Sequence, residues 1–292
     1  MPLDQIDVDN DELPAEYQSH TPVPKQESPA EMSFIEHLDV LRKHLVRSAI
    51  VVIIITTGVA FTINFFFDAV IMAPTQAKFI TYKILCDLSE FLHSSALCIE
   101  LKEQELYNFK ITGQFLMHIR TSLTLGIILS FPFTIYQIWV FIRPALHSAE
   151  KKVTSGIVFF CSFFFFVGVG FAYYFVIPLS YNFFVNYSIS SAIKNNFNIS
   201  TYISMFVDIT LACGIMFQLP IFVFILSKLG IVGPDLLKTY RKHAYIGILF
   251  LSAILTPADI MSMVLLALPL LLLYELSIFV SKVVETNRLK EA

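Results

Sequence analysis

The segment from Tyr136 to Lys152 reads YQIWVFIRPALHSAEKK, and its carboxylate, Glu150, stands among Arg143, Lys151 and Lys152. A carboxylate there can neutralise its lysine neighbours as an ordinary surface pair, a common and weak arrangement. It can equally accept an arginine from a basic peptide through two parallel hydrogen bonds, a geometry lysine cannot match. Tyr136 and Trp139 suit the headgroup level of a membrane, and Pro144 ends the preceding helix. Three further polar side chains lie inside apolar runs: Asp208, Gln218 and Glu275. Such groups are costly in hydrocarbon and face a cavity or another helix. Gln218, two residues before Pro220, either satisfies backbone freed by that proline or bonds a helix of another subunit. Thr256, Pro257 and Asp259 read as a tight turn, with Asp259 placed to cap the next helix.

Hydrolytic and nucleotide chemistry lack their patterns. The chain has no His-Glu-x-x-His, no Gly-x-Ser-x-Gly and no phosphate-binding Gly-x-x-x-x-Gly-Lys loop. Its seven histidines are scattered, and His37 and His44 do not share a face closely enough for a metal. The expectation is therefore a non-enzyme without cofactor or metal. A secondary transporter of small solutes is the alternative, but it would show repeat-related broken helices, and none is evident.

The elements that must position these groups are membrane spans. Apolar residues make up 56 % of the 292-residue chain, 29 of them Phe, and only 15 % are charged. Residues 1–31 carry eight acids against Lys25, a local charge of −7 that leaves +4 on the remainder. With five prolines and little to bury, that tail is expected to be disordered. The first apolar run lacks a small-residue cleavage motif and is expected to remain as an anchor. A membrane domain over 32–285 and a tail over 286–292 follow, with spans near 46–67, 114–137, 157–178, 203–227, 244–256 and 260–281. The apolar stretches Ala244 to Thr256 and Ile260 to Tyr274 predict short fifth and sixth helices, about 20 Å each. Thirteen basic residues fall in the segments placed inside and five in those outside, so both termini are expected on the cytoplasmic side. Arg120, near the outer end of the second span, is expected to snorkel. Pro132, Pro178, Pro220 and Pro269 should kink long helices. In the long loop over 68–113, Cys86 and Cys98 either form a disulfide or pack as two small thiols.

Read in order, HLDVLRKHL (37–45), FPFTIYQIWVFIRPAL (131–146) with Glu150, FAYYFVIPL (171–179), GIMFQLP (214–220) and LTPAD (255–259) resemble the TatC family, the multi-spanning core subunit of the twin-arginine protein translocase. The resemblance covers about Phe34 to Lys282. It implies an all-α membrane protein whose six helices form a concave cup in the bacterial inner membrane. It also implies a cytoplasmic rim that binds twin-arginine signal peptides of folded cargo in a step powered by the proton gradient. Glu150, Arg42, Phe141 and Pro144 match the family's rim residues. Gln218 and Pro220, with Thr256, Pro257 and Asp259, match positions where small single-span subunits of the TatA/TatB type assemble. Homo- and hetero-oligomers in lipid are implied, and no nucleic-acid partner. Two departures stand out. The family's glutamate before Leu-Arg is Val40 here, with Asp39 beside it, and one residue turns a side chain by ~100° on a helix. Gln218 stands where many members carry glutamate, so this position cannot titrate.

Overall fold

The computed structural model describes residues 34–91, 98, 104–142, 154–190, 192, 195–255 and 260–291. Two units are resolved by their internal contacts, one ending at Val40 and the other running from Leu41 onward. The first contributes only helix among its described residues. Ten α-helices and two very short strands make up the described chain: α1 Phe34–Phe66, α2 Ile80–Phe91, β1 Leu106–Tyr107, α3 Gly113–Ile142, α4 Thr154–Phe171, α5 Ile177–Asn186, β2 Phe197–Asn198, α6 Ile199–Met216, α7 Leu219–Lys228, α8 Pro234–Thr239, α9 Arg241–Leu255 and α10 Ile260–Glu291.

Among the described residues, five helical stretches are long and apolar enough to cross a membrane: those containing α1, α3, α4–α5, α6–α7 and α10. The α9 helix, at 15 residues, is too short to count among them. The α10 helix departs from expectation. It is 32 residues long, and its candidate span runs over Met263–Asn287. The apparent end of the apolar run was Glu275, and that carboxylate is paired. Arg241 donates to it at 2.9 Å and Tyr245 donates through its hydroxyl, so the helix passes through. The expected all-α architecture also gains a parallel two-stranded ladder, Leu106 opposite Phe197 and Tyr107 opposite Asn198, which ties two loops together.

The prolines divide into two kinds. Pro132 and Pro269 lie inside α3 and α10. Pro178 and Pro220 instead occupy the first turns of α5 and α7, where a missing N–H costs nothing. Each follows a break: a π-helical turn over Ala172–Val176, and the Phe217–Gln218 turn between α6 and α7.

The core of the second unit centres on α6. Ile203, Ile209 and Cys213 are fully buried there, against Val176 and Ile177 of the α4–α5 stretch and Leu266 and Leu270 of α10. Two glycines permit the helix approaches. A Cβ on Gly168 of α4 would lie 2.6 Å from the carbonyl oxygen of Cys213 in α6. A Cβ on Gly126 of α3 would lie 2.9 Å from Cα of Thr56 in α1. Helices in lipid associate by such close packing because no hydrophobic force drives them together.

Where α1 ends, the chain turns through irregular backbone, and tyrosines from other elements satisfy its carbonyls. Tyr173 donates to Val70 at 2.9 Å, Tyr202 to Ile71 at 2.6 Å, and Tyr82 to both Pro74 and Pro178. Buried backbone oxygens need donors, and these hydroxyls supply them while docking α2 on the bundle. Cys86 of α2 is joined to Cys98 by a disulfide.

Candidate functional site

The residues expected to recognise a basic peptide begin on α1. Asp39 and Arg42 both lie on that helix, and both side chains are exposed. Phe141 is the penultimate residue of α3 and is half-buried. Pro144 and Glu150 lie outside the described residues, as do Thr256, Pro257 and Asp259.

The stump from which the Glu150 segment departs is firmly held. Trp139 is only 6 % exposed and packs with Ile157 and Cys161 of α4 and Ile221 of α7. It is a packing residue in a three-helix cluster, not the headgroup anchor its type suggested, because α4 and α7 cover the face on which it falls. Two residues earlier, the side chain of Gln137, also buried, takes part in a 2.6 Å hydrogen bond between its Oε1 and Nδ1 of His44 on α1. That bond joins the start of α1 to the end of α3. Sequence reasoning weighed His44 only as a metal ligand, and nothing in the spacing of two residues 93 apart points to the contact. Among the described residues, no group of His, Cys, Asp and Glu could hold a metal ion.

Gln218 bonds within its own chain. Its Nε2 donates to the carbonyl oxygen of Cys161 in α4 at 3.0 Å, so the amide bridges the α6–α7 break to a neighbouring helix of the same chain. Pro220 is buried beside it in the first turn of α7.

Two ionic contacts went unforeseen. Arg120 of α3 donates to Asp208 of α6 at 2.7 Å and to Ser204 at 2.6 Å. The arginine therefore has a partner across the helix interface rather than simply snorkelling. Arg241, Tyr245 and Glu275 form the second cluster, between α9 and α10. Hydropathy flagged Asp208 and Glu275 as residues needing partners, but only the packed helices name those partners. Nearby, Tyr274 donates to the Leu237 carbonyl and Ser227 bonds Ser281, linking α10 to α8 and α7.

Comparison with known proteins decides the family. A model described as Sec-independent protein translocase protein (TatC) matches residues 36–269. The chain belongs to the TatC family. TatC of Blattabacterium sp. subsp. Periplaneta americana is 38 % identical over 253 residues, covering 86 % of this chain and 95 % of the relative. TatC of Aquifex aeolicus is 31 % identical over 261 residues, 89 % of this chain and 98 % of that one. A crystal structure described as the Twin Arginine Translocase Receptor TatC in DDM is 30 % identical and superposes with a TM-score of 0.70 over 85 % of this chain and all of the other. As a TatC-family member the chain is a multi-pass membrane component of a Sec-independent protein translocase, a transport family rather than an enzyme family.

Proposed function

We propose that this chain is the core receptor of a twin-arginine translocase in a bacterial inner membrane, with both termini cytoplasmic. The observation that carries the reading is the TatC match across 36–269, which takes in the α1 motif, the end of α3 and the Glu150 segment. Glu150 and Asp39 hold the paired guanidinium groups of a folded cargo's signal peptide by bidentate, charge-assisted bonds. Arg42, Phe141 and Pro144 shape the rim around them. Because Asp39 stands one position from the family's glutamate, it approaches the arginines from a different angle, and Glu150 carries the larger share. Single-span subunits of the TatA/TatB type assemble at Gln218 and Pro220 and at the turn of Thr256, Pro257 and Asp259. Use of the proton gradient then requires a titrating group other than the neutral amide at 218.

Support for a held rim comes from Trp139 and the His44–Gln137 bond, which fix the helix ends from which the peptide-binding segments project. The test is site-specific photocrosslinking from the 140s segment to a twin-arginine peptide in inverted membrane vesicles. Glu150→Gln should abolish the crosslink, and Arg-to-Lys changes in the peptide should weaken it sharply. Undiminished crosslinking in Glu150→Gln would refute the assignment.

A further inference from the structure

Between the end of α5, β2 and the start of α6 the structure forms an open cavity of about 570 Å³, a size typical of small-molecule sites. Among the described residues, its lining holds no group that is charged at neutral pH. Those residues offer no counter-charge to a phosphate or an ammonium ion. We infer that the cavity binds a neutral polyhydroxylated ring, a sugar unit that is either free or the headgroup of a glycolipid.

Two features point to that chemistry. Phe184, Tyr187 and Phe197 line the cavity and offer apolar ring faces against which the C–H face of a sugar can lie. Among the described residues, the side chains of Asn196 and Thr201 have no hydrogen-bond partner, although both line the same space and both are exposed. An amide and a hydroxyl each donate and accept, which suits a ligand whose every hydroxyl does the same. An acyl chain in this position would strip those groups of water and return nothing.

The site is also preformed. Tyr181 and Tyr202 line it while remaining only 4 % exposed, and the Tyr202 hydroxyl is committed to the Ile71 carbonyl. Asn195 donates to the Tyr187 carbonyl at 3.3 Å, and Asn198 caps α6 by accepting from Ser200 at 2.9 Å. Those bonds hold the surrounding backbone and leave Asn196 and Thr201 available. On the other side of Leu106 lies a second cavity, of about 510 Å³, lined by Gln114 and the ionisable His118. It shares a wall with the first but not its chemistry, and it serves as an internal control.

The experiment uses the full-length protein in phosphatidylcholine nanodiscs. Saturation-transfer NMR probes free maltose, and native mass spectrometry probes retention of monoglucosyl diacylglycerol. Transfer to the maltose ring protons, or selective retention of the glucolipid, supports the site; the arm that responds identifies the source. Asn196→Ala and Thr201→Val alter exposed side chains and should each weaken binding about fivefold, the loss of roughly one hydrogen bond. Gln114→Ala should leave binding unchanged. The inference is overturned if neither sugar probe binds, or if glycerol phosphate competes as well as maltose does. Binding that survives the Asn196→Ala, Thr201→Val double variant, or that falls in Gln114→Ala, overturns it too. Thermal melts of each variant separate loss of binding from loss of fold.

Discussion

The two ends of the bundle satisfy their polar groups differently. At the end where α1 gives way to α2, tyrosine hydroxyls reach main-chain carbonyls: Tyr173 to Val70, Tyr202 to Ile71, Tyr82 to Pro74. A disulfide and the β1–β2 ladder reinforce that end. At the end where α3 stops, the contacts are between side chains: His44 with Gln137, and Arg241 and Tyr245 with Glu275. Arg42 of α1 is exposed. Hydroxyl-to-carbonyl bonds lock backbone, whereas pairs of side chains hold helices together. The lesson is a division of labour between a backbone staple and side-chain ties between helices, and it can be broken experimentally.

The largest effect on stability is expected from Cys86→Ser. Opening the disulfide should cost about 3 kcal/mol and lower the melting temperature of the solubilised protein, while twin-arginine peptide crosslinking persists. Gly168→Val comes next, because the new Cβ meets the Cys213 carbonyl at 2.6 Å. Overpacking of this kind costs about 1–3 kcal/mol and should show as loss of monodisperse protein in size-exclusion chromatography. Tyr202→Phe should cost about 1–3 kcal/mol by orphaning the buried Ile71 carbonyl, measured as a melting shift without loss of peptide binding. At the other end, Gln137→Leu should cost about 1 kcal/mol of stability yet reduce peptide crosslinking, since it frees α1 from α3. If Tyr202→Phe harmed crosslinking as much as Gln137→Leu does, the proposed division would fail. The smallest net change is expected from replacing both members of one pair. Asp208→Leu alone leaves Arg120 without its carboxylate, and the Arg120→Met, Asp208→Leu double variant should melt closer to the unaltered protein.

Much of the fold was legible because membrane spans are written in long apolar runs. The runs behind α1, α3, α4–α5 and α6–α7 fall in long apolar helical stretches, since backbone groups in lipid must bond within their own segment. The reading failed at α10, where Glu275 looked like an end. A carboxylate ends an apolar run only when it has no partner, and Arg241 supplies one from a residue 34 positions away. Gln218 was legible as a polar residue in need of a bond, but its acceptor in α4 was not. Trp139 misled because an indole at a helix end suits both the headgroup region and a packed cluster, and nothing local distinguishes them. The residues singled out for peptide binding drew on motif order rather than on spacing, which is why their roles rest on crosslinking.

Composition and pattern alone determined that this chain enters a membrane several times, which residues are costly there, and which motifs place it in its family. Those properties are local: hydrocarbon thickness and backbone satisfaction act on each segment separately. Only the tertiary structure decided the partner of each polar group, the close approaches at Gly126 and Gly168, and the uncharged cavity beside β2. Each of these joins residues far apart in the chain, and such distances are set by helix packing that no single segment encodes.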